Sequence, residues 1–136
     1  MINNDCAEWL RFARKDIKAA DVLSTQREKD IEIILYHCQQ AAEKALKAFL
    51  VNNNTWSGKI HDLDILRNDC GNINSKFNGT RVIGHCDYLD NFGIAVKYPF
   101  HNMALSSKDA AKGLNSVKRI YDLVSEILGL GRYYFP

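Results

Sequence analysis

One stretch constrains the fold of this chain more than any other. From Ile31 to about Val51, apolar side chains such as Ile34, Leu35, Cys38, Ala41, Ala45, Leu46 and Phe49 recur at helical spacing over a wide arc. Gln40, Glu43, Lys44 and Lys47 fall on the opposite side. An arc this broad needs more than one neighbouring helix to cover it, and its alanines allow close approach while favouring helix. A central helix is therefore predicted, stopped by the polar run Asn52-Asn53-Asn54-Thr55-Trp56-Ser57-Gly58.

Other periodic segments supply its neighbours. Trp9, Phe12, Ala13, Ile17, Ala20 and Leu23 form one stripe, with Asp5 and Glu8 as a helix start. Asp16 falls inside that stripe, where a carboxylate needs a partner on another helix or a ligand. A short helix opens near His61-Asp62-Leu63, and the segments around Gly71 and Gly79 read as loops. Thr80 starts a fourth helix carrying Val82, Cys86 and Leu89, with Gly93 near the same stripe, and Tyr98-Pro99 ends it. Ser106, with Asp109 three residues on, caps a last helix with two stripes. Ala110, Leu114, Val117, Tyr121, Val124 and Leu128 form one; Ile120, Leu123, Ile127 and Leu130 form a second, which invites another helix or a second subunit and is expected to be a homodimer interface. The aromatic tail Arg132-Tyr133-Tyr134-Phe135-Pro136 is expected to dock rather than fray. The sum is an all-α, up-and-down bundle of four principal helices plus a short one, spanning residues 1–136 as one domain.

Composition narrows the function classes. At 136 residues the chain buries roughly two-thirds of its unfolded surface, enough for one core and too little for a two-domain enzyme. Four separated cysteines without a Cys-x-x-Cys pair, and a start at Met1 lacking a basic-then-apolar leader, lead to an expected cytoplasmic location with free thiols. The net charge of +2 is too small to mark a nucleic-acid protein in bulk. Between Asn91 and Tyr121, however, five basic residues stand against Asp109 alone, a bias that steers phosphate or simply solvates a helix face.

No phosphate-loop, zinc-protease or serine-hydrolase motif occurs, and neither the histidines nor the cysteines are spaced as a metal cluster. His37–Cys38 and His85–Cys86 are adjacent pairs, which diverge on a helix and make no dyad. No cofactor or metal is implied. Two local groups remain. Lys59 and His61 stand at a helix start whose amides can receive an anion, unless Asp62 caps it. Lys97, Tyr98 and His101 crowd a Pro-containing turn with a cation, a stacking ring and a proton carrier, the side chains RNA cleavage uses.

Several stretches together resemble the HEPN domain family of higher eukaryotes and prokaryotes, whose members are suspected nucleotide binders. They are Trp9-Leu10-x-x-Ala13-x-x-Asp16-Ile17-x-x-Ala20, the block Tyr36 to Leu50 with Gln39-Gln40-Ala41-Ala42-Glu43-Lys44-Ala45-Leu46-Lys47 at its centre, Lys59-Ile60-His61-Asp62-Leu63, and Lys97-Tyr98-Pro99. The resemblance implies a helical bundle, a homodimer, and a minimal nucleotidyltransferase as partner in a toxin–antitoxin-like pair. Many relatives are metal-independent ribonucleases using Arg, four to six intervening residues, and His. Here Lys97 and His101 have three residues between them, as do Arg81 and His85. The preferred expectation is therefore a non-catalytic or weakly active module that dimerises, partners a nucleotidyltransferase and assists nucleotide or RNA binding. The alternatives are a toxin-like metal-independent endoribonuclease and a purely structural pairing protein. Lys97, Tyr98 and His101 are the residues expected to carry any catalysis; Asp16, Lys59 and His61 join them as ligand-binding candidates.

Overall fold

The computed structural model describes residues 1–97 and 104–134, with side chains omitted at 93–97. Five α-helices, and no strand among the described residues, make the bundle: α1 (Asn4–Ser24), α2 (Ile31–Asn52), the short α3 (Leu63–Ile73), α4 (Thr80–Lys97) and α5 (Ser107–Ile127). A 3-10 turn, Ser75–Asn78, joins α3 to α4.

Helix α2 packs against α1, α3, α4 and α5 at once. Its broad arc is the reason: Ile34, Leu35, Cys38, Ala41, Ala42, Ala45, Leu46 and Leu50 are all essentially inaccessible. With neighbours on every side, α2 has little solvent face left, and that corrects the expected polar side. Glu43 and Lys47 are buried, at 5% and 6% exposure. They survive there as an ion pair, Lys47 Nζ donating to Glu43 Oε2 at 3.1 Å. His61 Nδ1 lies 3.2 Å from the same carboxylate, and Lys47 also sits over the Trp9 ring.

The helix starts show how local signals were satisfied. The Asn3 side chain accepts from the Cys6 amide, so α1 begins before the expected Asp5. Asp109 Oδ2 accepts from the Ser106 amide at 2.8 Å, as the expected capping box requires. At α3 the Asp62 side chain accepts from Ile65 N, while Asp90 on α4 accepts from Leu63 N and Asp64 N. Burial and the neighbouring Asp62 and Asp64 carboxylates, opposed by those two amides, push Asp90 up to about 6.

Three other expectations change. Phe12 is 45% exposed, because the buried face of α1 centres on Cys6, Leu10, Ala13, Ile17 and Ala20; Arg11 and Lys15 lie over its ring instead. Ile120 is fully buried, since α5 contacts α1, α2 and α4 and buries more than one stripe; Leu123 and Ile127 are half-buried and Leu130 is exposed. The loop expected near Gly71 still belongs to α3, and the 3-10 turn after it drives Phe77 into the core against Phe49, ring centroids 4.7 Å apart. All four cysteines are free and buried. Burial is the main cause pushing the Cys38 thiol up to about 12, so it is an inert core group.

One close approach sets the position of α5. Gly113 is buried, and a Cβ there would meet Leu35 Cδ2 at 2.5 Å, with Leu89 Cδ2 and Cys38 Sγ just beyond. Glycine thus seats α5 against α2 and α4, one turn before the residue that faces His85.

Candidate functional site: a basic groove between α4 and α5

On α4, Arg81, His85 and Tyr88 lie one turn apart and point toward α5; on α5, Lys112, Ser116 and Arg119 answer them. His85 Nδ1 lies 2.9 Å from Ser116 Oγ, and Ser116 is almost wholly buried. Burial is the first cause that holds His85 below its ordinary value of 6.5, followed by the charges of Arg119, Arg81 and Lys112. The imidazole is therefore neutral at neutral pH. In the tautomer that donates Nδ1–H to Ser116 Oγ, Nε2 is a lone-pair acceptor within a cationic field.

Two open cavities meet at this histidine, and Arg81 lines both. One, about 270 Å³, continues past Lys76 and Arg119 to Arg132, over an apolar floor of Val82 and Leu123. The other, about 520 Å³, runs past Gly84, Tyr88 and Lys112. Nothing would meet a Cβ at Gly84, so the wall there is open. Lys112 Nζ sits 4.4 Å from the Tyr88 ring centroid, and the Tyr88 hydroxyl donates to the Asp109 carbonyl at 3.0 Å. Burial, then Asp109, pushes that phenol up to about 12, so it stays protonated. Among the described residues no His, Cys, Asp or Glu group has the arrangement of a metal site.

The tail closes one end of the groove. Gly129 and Gly131, at φ 80° and 76°, turn the chain back on α5. Asp122, 4% exposed, then accepts from the backbone amides of Tyr133 and Tyr134 at 2.8 and 3.0 Å. Tyr134 packs edge-on against Tyr121, so the tail docks at this residue, while Phe135 and Pro136 lie outside the described residues.

A model of the HEPN domain matches residues 6–127, nearly the whole bundle. The chain belongs to the HEPN domain family. Two solved structures share the fold. TT1696 from Thermus thermophilus is 22% identical, with a TM-score of 0.79 over 91% of this chain and 98% of that one. ST0689, described as an archaeal HEPN homologue, is 19% identical, with a TM-score of 0.73 over 90% and 97%. No curated protein matches the sequence. No helix among the described residues is long and apolar enough to cross a membrane.

The candidates from sequence scatter over this HEPN bundle. Asp16 joins α1 to α2, contacting His37 Nδ1 at 2.9 Å through one oxygen and Lys44 Nζ through the other. His61 reaches Glu43, and the α3 amides that Lys59 and His61 were expected to offer an anion are occupied by Asp62 and Asp90. Lys97 is the last residue of α4; Tyr98 and His101 lie outside the described residues. The structure instead brings together Arg81, His85, Lys112, Ser116 and Arg119. Arg81 and His85 were visible as a pair in the sequence, but α5's contribution needs the tertiary fold.

Proposed function

We propose that this HEPN domain is a metal-independent endoribonuclease that binds single-stranded RNA along the α4–α5 groove, with His85 transferring the proton. The observation that carries this reading is a neutral, half-buried imidazole, fixed on Ser116 and surrounded by Arg81, Lys112 and Arg119. As the ribose 2′-oxygen attacks the adjacent phosphorus, His85 Nε2 takes its proton. The bond from phosphorus to the 5′-oxygen breaks, leaving a 2′,3′-cyclic phosphate and a 5′-hydroxyl that acquires a proton from water. Arg81 and Arg119 offset the charge that develops on the phosphoryl oxygens.

The test is cleavage of end-labelled single-stranded RNA by purified protein in chelator, with the cyclic phosphate identified by mass. His85→Ala should lower the rate by about 10²-fold or more. Intact RNA with wild-type protein would refute the reading. Full activity in His85→Ala, with loss in His101→Ala, would move catalysis to the Lys97, Tyr98 and His101 turn.

A second reading, a dimeric interaction module that partners a minimal nucleotidyltransferase, draws support from one observation. Leu123, Ile127 and Leu130 leave a partly exposed apolar edge at the end of α5, beside the groove. Sedimentation as a dimer at tens of micromolar, and a stable complex with a co-expressed nucleotidyltransferase, are its expected outcomes; a monomer that ignores the nucleotidyltransferase overturns it.

A further inference from the structure

Beyond the groove, a second basic pocket opens on the other side of the tail. It encloses about 340 Å³ between α1 and the C-terminal turn and is lined by Arg11, Arg14, Lys15, Lys18, Tyr133 and Tyr134, with Asp21 as its one carboxylate. Much of its charge is already held in place. Arg11 pairs with Glu8 at 2.7 Å, Asp21 accepts from Lys118 at 2.9 Å, and Arg14 donates to the Tyr121 hydroxyl at 2.6 Å. Lys18 projects into solvent at the rim.

The Tyr133 ring is the unusual element. It is 64% exposed, so it adds little to the core, yet it is well anchored. Its backbone amide donates to buried Asp122, and the edges of Tyr121 and Tyr134 lie 6.0 and 4.7 Å from it, centroid to centroid. The Arg14 guanidinium carbon lies 5.8 Å from the same ring. An exposed aromatic ring held rigid among cations is the construction that stacks an unpaired base and neutralises its phosphate. Duplex RNA offers no free base face to such a ring.

The position of this pocket matters as much as its chemistry. Arg132 lines the cavity beside His85, and Tyr133, the next residue, lines the pocket on α1. The two sites are one residue apart along the chain, about 3.8 Å between Cα atoms. A strand lying in the groove and leaving past Arg132 arrives at Tyr133.

We propose that the α1–tail pocket is a stacking subsite for an unpaired base of single-stranded RNA, flanking the phosphodiester held at His85; it rests on the ribonuclease reading. Tyr133 stacks the base, and Arg14 and Lys18 face its phosphate. The tail is then the divider that sets how far the stacked base lies from the bond that is cut.

The test measures binding apart from cleavage. Fluorescence anisotropy is read with a labelled single-stranded octaribonucleotide and with a duplex of the same length, in a His85→Ala background that keeps the probe intact. Tyr133→Ala should weaken octamer binding by about 10-fold while Tyr133→Phe retains it, because stacking needs the ring and not the hydroxyl. Lys18→Ala, which leaves every ring in place, should reduce the salt slope of octamer binding by about 0.7. Duplex affinity should change less than 2-fold in all three. Unchanged octamer binding in both Tyr133→Ala and Lys18→Ala overturns the subsite, as does an equal loss for duplex and single strand. The ribonuclease reading fails separately, through RNA left intact by the wild-type protein.

Discussion

Replacing Gly113 with alanine sets two effects of similar size against each other, and the structure decides between them. In a helix interior, glycine to alanine gains about 0.8–1.0 kcal/mol of propensity. The new Cβ would lie 2.5 Å from Leu35 Cδ2, where ordinary carbon contacts fall at about 3.5–4.0 Å. One group must retreat by about 1 Å, and Leu35, 1% exposed, has little room to do so. Overpacking of this kind costs about 1–3 kcal/mol. The net expectation is a loss of about 1 kcal/mol, read by urea denaturation followed by far-UV circular dichroism, or roughly 4 °C in Tm. Leu35→Ala alone should cost about 2–5 kcal/mol. In the double variant the new methyl enters the space Leu35 vacates, so the two should couple favourably by at least about 1 kcal/mol. A Gly113→Ala protein more stable than wild type, or strict additivity in the cycle, would refute the claim that Gly113 fixes the approach of α5. Because Ser116 lies one turn on, the displacement should also weaken its hydrogen bond to His85, visible as a changed imidazole resonance.

The His85 charge state gives a pH prediction. Its value is depressed below 6.5, so general-base activity should persist below that pH, and Arg119→Gln should raise the acid limb and the NMR titration midpoint together; an unmoved midpoint would remove Arg119 from the field at the imidazole. The same depression means that the unfolded chain takes up a proton more readily than the folded one, so this group's contribution to stability is present above pH 6.5 and declines as pH falls through the folded value. Glu43→Leu should cost about 3–5 kcal/mol in a urea melt, because it leaves the Lys47 ammonium buried without its carboxylate; a loss under about 1 kcal/mol would mean that Lys47 swings out to water.

The fold was legible because its main determinants are local. The alanine-rich arc of α2 and the Ser106–Asp109 cap each speak within a few residues; the proline after Tyr98, expected to end α4, lies outside the described residues. What escaped was non-local. Nothing near Phe77 marks it as a core anchor; it is buried because the 3-10 turn places its ring on Phe49, far back in the chain. Glu43 and Lys47 looked solvent-facing because helical periodicity records which side is apolar, not how many neighbours surround the helix. The groove shows the same limit. Arg81 and His85 are a turn apart in the sequence, yet only the packing of α5 adds Ser116 and the Arg119 charge. Asp122 gave no sign that it would hold a tail eleven residues away.

A chain with a net charge of only +2 can still present a basic groove, and the placement of its carboxylates explains how. Glu43 is sealed between Lys47 and His61, Asp16 bridges His37 and Lys44, and Asp62 and Asp90 meet the amides of α3. Asp122 faces the tail amides from a buried position. These acids hold elements together, and their fields are opposed at short range by the groups they bind. Arg81, Lys112, Arg119 and Arg132 gather along α4, α5 and the tail, where Glu126 is 3.5 Å from Arg132. Asp87, Asp122 and Glu126 also line the groove, and its positive character is the surplus of Lys76, Arg81, Lys112, Arg119 and Arg132 over those three acids, so bulk charge was a poor guide to the local balance. On the proposed RNA binding, neutralising Lys112 should lower the single-strand salt slope by about 0.7, whereas neutralising Lys44, tied to Asp16 on α1, should leave it unchanged. Equal slopes for the two variants would place the bound strand elsewhere on the bundle.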